Sequence, residues 1–183
     1  PKEGAVVVDM SGWDKVLDID AENMIVRTQA GAIWERIDRQ INKLGLDLRL
    51  HPSSYPSSSV AGWLAQGGSG FGSYEYGTFK ESVVSARVVL PNATVKEFSG
   101  DELLRYIADA EGITGIITEV TFRVRPLETH SHKLIACPTV SQLAAVLAGI
   151  SDQRLPVWSI SFLNPTSIEL KKSLPSHHGH PYE

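Results

Sequence analysis

Residues 53–70 read SSYPSSSVAGWLAQGGSG: a serine-rich run, one short apolar turn, then a glycine run. No other stretch constrains the fold as strongly. Side chains this small cannot supply the bulk of a core. They do let the backbone approach a flat or anionic ligand closely, because Cβ is missing and N–H groups stand open. The segment therefore reads as a loop built to hold something. Within it, residues 60–65 form a short helical stretch with Ser59 as its cap, which would aim helix N–H groups at an anion.

Packed elements are predicted on both sides of this loop. Residues 5–10, AVVVDM, read as an apolar strand that wants neighbours on both sides. Residues 16–20 alternate apolar and acidic side chains, residues 21–23 form a turn, and 24–30 return as a second strand. Ile33, Trp34, Ile37, Ile41 and Leu44 then fall on one helical stripe, closed by Gly45 as the C′ residue. After the loop, 83–90 and 94–98 are strands joined by the Pro91-Asn92-Ala93 turn. A short helix follows, with Asp101 as N-cap and Leu103, Leu104 and Ile107 inward. Residues 115–125 form a long strand that Pro126 closes.

Beyond Pro126 the pattern changes. Residues 130–136 and 157–163 read as strands. Thr139-Val140-Ser141-Gln142 is a helix-start capping box, and Asn164-Pro165 opens a further helix. This βαβα run suggests the beginning of a second α+β unit.

The bulk numbers narrow the class. With 183 residues, 42% hydrophobic and 21% charged, the chain can bury a core. A formal net charge of −4 argues against nucleic acid or an anionic membrane as the main partner. No apolar run approaches the roughly 20 residues of a membrane span. Cys137 is the only cysteine, so no disulfide forms within the chain and a reducing, cytoplasmic setting is expected.

Four pieces, in order, carry a resemblance: residues 4–10; residues 26–31 with the helix after them; residues 52–77, ending in Tyr76-Gly77; and residues 111–120, EGITGIITEV. Together they resemble the FAD-binding domain of the vanillyl-alcohol-oxidase (PCMH) type. The likeness is to the version in glycolate oxidase flavoprotein subunits, D-lactate dehydrogenases and alkyl-dihydroxyacetone-phosphate synthases. The resemblance implies an α+β fold. Residues 1–127 would be an FAD-binding domain lacking its N-terminal subdomain and phosphate loop. Residues 128–173 would begin an α+β cap, and 174–183 would be a disordered tail. It also implies FAD contacts from Ser53, Ser54 and Ser59 in the serine loop, from Gln66, Gly67, Gly68 and Ser69, and from Glu111, Gly112, Gly115, Ile116 and Ile117. Departures from the family pattern are Ala61-Gly62 for a glycine pair, Lys80-Glu81 for Arg-Asp, Ile113-Thr114 for Thr-Leu, and a short 98–111 connection.

By the same resemblance, the whole protein would oxidise a small 2-hydroxy acid of the glycolate or lactate type by hydride transfer to flavin. This chain alone is expected to be inactive and to bind FAD poorly or not at all. The sequence points to no catalytic residue and no metal site, and the electron acceptor stays open. Two other readings stand beside this one: a flavin-like module that assembles with a partner subunit or a second copy, and a same-fold enzyme with other chemistry. Several residues have simpler roles. Trp34 and Trp63 read as core, His130 and His132 as solvated, Cys137 as a small buried filler, and Glu111 as structural or as a ribose or adenine contact.

Overall fold

The computed structural model describes residues 4–173. Its centre is a five-stranded antiparallel sheet. The strands are β1 (Val16–Asp20), β2 (Ile25–Gln29), β6 (Val83–Val89), β7 (Val95–Ser99) and β8 (Ile116–Arg123), in the order β1-β2-β8-β6-β7. β1–β2 and β6–β7 are hairpins, and β8 returns between them to pair with both β2 and β6. Short two-residue strands add two ribbons: β3 (Leu46–Asp47) with β9 (Arg125–Pro126), and β4 (His51–Pro52) with β5 (Gly70–Phe71).

Alternation sorts the sheet into two faces. Val26, Ala86, Val88, Val120 and Phe122 are buried, while Arg87 faces solvent and pairs with Glu119 at 3.3 Å. The apolar face is covered by α1 (Trp34–Ile41), α2 (Val60–Gln66), α4 (Phe79–Ser82) and α5 (Gly100–Tyr106), with the single turn α3 (Ser73–Tyr76) leading into α4. Their inward residues build an aromatic centre. Trp34 meets Trp63 edge-on at 5.2 Å, Phe79 at 5.1 Å and Phe122 at 5.7 Å. Trp63 stacks on Phe79 at 5.0 Å and 17°. Each such pair adds about 0.5–1.5 kcal/mol beyond the area it buries. Trp34 and Trp63 are thus core, as the sequence suggests.

Several local expectations hold for the reasons given. Gly45 ends the 3-10 turn after α1 with φ +73. Thr139 caps α6 (Val140–Asp152) by accepting from the Gln142 N–H at 3.2 Å. Asn164 accepts from the Ser167 N–H at 2.7 Å at the start of α7 (Pro165–Ser173).

Others need correction. Residues 5–10 make no strand, and Val6, Val7 and Val8 stay exposed. Residues 130–136 and 157–163 make none either, with Leu134 and Phe162 open to solvent. All three segments have strand-like composition, but a strand exists only when a neighbour satisfies its N–H and C=O groups. Among the described residues no strand pairs with them: Met10 and Val157 make only local turn bonds, to Trp13 and Leu155. The N-cap of α5 is Ser99, not Asp101, and Leu104 faces outward. Leu44 is exposed because the helix tightens to 3-10 before reaching it. Cys137 is half-buried instead of a core filler. The tail read as disordered lies outside the described residues.

Candidate cofactor-binding site

The three segments singled out in the sequence meet along α2. At its start, Ser59 bridges to Ile33, and the Ser58 carbonyl accepts from the Trp34 N–H at 3.3 Å. At its end, the Asp109 N–H donates to the Leu64 carbonyl at 3.2 Å and the Glu111 N–H to the Ala65 carbonyl at 2.8 Å. Residues 66–69 and 111–112 therefore lie side by side. β8, which begins at Ile116 and Ile117, also contacts the same helix. The ribbon closes the arrangement: Pro52 opposes Gly70, so the serine loop leaves where the glycine run arrives.

Exposure divides the twelve residues. Ser53, Ser54, Gln66, Ser69, Glu111, Gly112 and Ile116 are open to solvent, and Ser59, Gly67, Gly68 and Gly115 are half-buried. Ile117 is buried in the core and offers only its backbone. The open members form a rim of hydroxyl, amide and carboxylate groups beside exposed apolar surface at Ile113 and Ile116. Polar groups next to an apolar patch suit a ligand with one flat ring system and one charged end. The Ser58 hydroxyl is buried without a hydrogen-bond partner, a polar group that the chain itself leaves unsatisfied.

Two physical expectations about the loop change. Ser59 caps α2 as foreseen, its Oγ accepting from the Gly62 N–H at 3.3 Å. The neighbouring donors are not free for an anion, however. The Val60 N–H donates to the Ala32 carbonyl at 3.0 Å and the Ala61 N–H to the Ala30 carbonyl at 3.2 Å. The start of α2 is consumed in joining the serine loop to the sheet.

The glycines, too, first serve the chain's own packing. A Cβ on Gly68 would overlap the Trp63 indole, and one on Gly70 would overlap the His51 carbonyl. A Cβ on Gly115 would lie 2.6 Å from the Val89 carbonyl. Gly67 has φ +75 and lies against the Asp109 carboxylate, which Lys80 holds in an ion pair. Gly112 alone in this set combines φ +76 with open space around it.

A second cluster, missed in the sequence, sits under the serine loop. Arg125 is 4% exposed and ion-paired with Asp47, and its Nε donates to the Leu48 carbonyl at 3.0 Å. Asp47 also faces His51 at 3.7 Å. Burial would push the Asp47 carboxyl up, but the contacts with His51 and Arg125 outweigh it and hold it below the ordinary carboxylate range. Asp38 goes the other way: burial raises it despite His51 nearby. Its carboxylate accepts from the Tyr55 hydroxyl at 3.2 Å, and burial, then the Asp38 charge, push that phenol up. Asp38, Asp47 and His51 come close enough to ligate one metal ion. Arg125 already neutralises Asp47, and a second cation there would meet that guanidinium. The cluster pins Tyr55, and with it the serine loop, to α1 and β4.

An antiparallel sheet with helices packed on one face, joined to a small-residue loop, makes an α+β domain with a candidate cofactor surface. The FAD binding domain family matches residues 1–99, and the chain belongs to that family. FAD is the cofactor this membership assigns. The chain is 31% identical over 175 residues to a mitochondrial D-lactate dehydrogenase [cytochrome] of Arabidopsis thaliana, covering 91% of this chain and 30% of that protein. It is 32% identical over 133 residues to the alkyldihydroxyacetonephosphate synthase of Caenorhabditis elegans, covering 69% and 22%. Glycolate oxidase subunit GlcD of Bacillus subtilis is 26% identical over 177 residues, covering 92% and 38%. A solved alkyldihydroxyacetonephosphate synthase superposes with a TM-score of 0.68 at 29% identity, covering 80% of this chain and 28% of that one. The chain thus spans about a fifth to two-fifths of the relatives named here. No described helix is long and apolar enough to cross a membrane.

Proposed function

We propose that this chain forms one wall of the FAD site in an oxidoreductase whose substrate is a small 2-hydroxy acid of the glycolate or lactate type. The observation that carries the reading is that the serine loop, residues 66–69 and Glu111, which leads to β8, meet at one helix. Ser53, Ser54, Ser59, Gln66 and Ser69 would offer hydroxyl and amide groups to the cofactor. Gly67, Gly68, Gly112, Gly115, Ile116 and Ile117 would offer backbone groups, and Glu111 would accept from a ribose hydroxyl or an adenine amine. The Ser58 hydroxyl would gain the partner it lacks.

Bound FAD supplies the two-electron acceptor for a hydride leaving the substrate α-carbon. The share of the work done by this chain is to hold the ring system, exclude water beside Ile113 and Ile116, and fix the loop geometry. Groups that bind the acid and take its hydroxyl proton are sought in the remaining length that the relatives possess. Their names support the substrate class: D-lactate dehydrogenase and glycolate oxidase subunit stand among them. A second reading, alkyl transfer, has support in the synthases at comparable identity.

The test is an anaerobic titration of the complete, FAD-loaded gene product with glycolate, D-lactate and L-lactate. Bleaching of oxidised-flavin absorbance by one of them is expected. A flavoprotein inert to all three, yet active on an acyl dihydroxyacetone phosphate, would replace the first reading with the second.

A further inference from the structure

Trp158 lies 32 residues beyond the end of β9, yet it is seated on the flavin-domain fold. Its indole N–H donates to the Arg49 carbonyl at 2.8 Å. Its ring meets the His51 ring edge-on at 5.6 Å and stacks on His130 at 4.9 Å and 16°. The Arg125 guanidinium lies 4.4 Å from its centroid, and Arg125 also bonds His130 at 2.7 Å. The seat is shaped for it: a Cβ on Gly72 would come within 2.5 Å of the Trp158 Nε1 and would overlap the Arg49 carbonyl. Gly72 has φ +93, so the backbone there suits glycine twice over.

What the indole grips is the base of a ribbon. Arg49 precedes His51 and Gly72 follows Phe71, so both flank the His51–Phe71 rung, the end of the ladder away from the serine loop and the glycine run. Both candidate cofactor segments leave the opposite end of that two-rung ladder, between Pro52 and Gly70. A two-stranded ribbon of this length is not stable alone and takes its geometry from what packs on it.

We propose that Trp158 is a positioning residue for the cofactor loops, clamping the β4–β5 ribbon and so fixing how the serine loop and the glycine run face each other. It acts through Arg49, His51 and Gly72, with no contact to the cofactor. The proposal rests on the FAD reading above for what the loops hold. It makes the segment after β9 part of the cofactor site's architecture and not only the start of a separate layer.

The experiment compares amide hydrogen exchange in the whole chain for wild type, Trp158→Ala and Trp158→Phe, with and without millimolar FAD. In Trp158→Ala, amides of the non-proline residues among 51–58 and of 68–72 are expected to exchange about tenfold faster, the scale of losing one or two aromatic contacts. Those of the β6–β7 hairpin should keep wild-type protection, which excludes general unfolding. Trp158→Phe restores the ring without the N–H and should recover most of the loss. FAD affinity should fall about tenfold in Trp158→Ala, in step with the exchange. Unchanged exchange at the ribbon overturns the clamp. A loosened ribbon with FAD affinity unchanged overturns the positioning role. FAD affinity is read on the complete gene product; a complete wild type that takes up no FAD overturns the flavin reading, and the exchange comparison then decides the clamp alone.

Discussion

Replacing Gly68 by alanine separates two explanations of the glycine run. If Gly68 exists to let a ligand approach, the unliganded protein should tolerate a methyl there. The structure says otherwise. The methyl would occupy the Trp63 indole, overlapping Nε1, Cδ1 and Cε2. Trp63 is 6% exposed, stacked on Phe79 and edge-on to Trp34, so the ring can move only by leaving that cluster. Two aromatic pairs at about 0.5–1.5 kcal/mol each, plus about 1–3 kcal/mol for overpacking, give a loss of about 2–6 kcal/mol. Urea unfolding of the unliganded chain, followed by tryptophan fluorescence, reads this as a lower midpoint at unchanged slope. Gly112→Ala is the control: with φ +76 and no atom within 4 Å, it should cost only about 1 kcal/mol of backbone strain. Equal losses in the two variants, or a Gly68→Ala loss below about 1 kcal/mol, would refute the packing argument.

Other outcomes follow from the same geometry. Ser59→Ala removes the cap on α2 and should lower stability by about 1 kcal/mol in denaturant melts. Asp47→Asn leaves Arg125 buried without its counter-charge and should cost about 3–5 kcal/mol, with Arg125→Met on that background recovering part of it. The Asp47 carboxyl is depressed in the folded state, so its stabilisation is full above the unfolded value and is lost as pH falls below about 4. Denaturation midpoints against pH should show that loss and Asp47→Asn should flatten it. Asp38, raised by burial, has the opposite sign: its contribution is present at low pH and declines as pH rises through its folded value. Asp38→Asn should remove that decline.

The central sheet was legible because each of its strands alternates or runs apolar between turn residues, and each finds a partner. The strands expected at 5–10, 130–136 and 157–163 have the same local signal. Pairing is a property of two segments, and the local pattern cannot report a missing partner. The candidate site was legible as three segments and not as an arrangement. Ser59 as a cap follows from the sequence, but the consumption of the next two N–H groups by Ala30 and Ala32 needs the fold. The glycines were found and their first reason was not, because Gly68 answers to Trp63, a residue that the sequence marks only as core. Asp47, Arg125 and Trp158 went unnoticed since their contacts span 78 and 109 residues. A faint signal existed: Asp47 and Arg125 interrupt the apolar runs LDLRL and VTFRVRP, where a charge must be paired to be buried.

The most direct test is a two-dimensional NMR titration of the ¹⁵N-labelled chain with FAD to millimolar concentration, which detects weak as well as tight binding. The account predicts shifts concentrated at residues 53–59, 66–69 and 111–117, with the charged outer face of the sheet around Arg87 and Glu119 unmoved. Shifts centred on that outer face, or none in the three segments at saturating FAD, would contradict it.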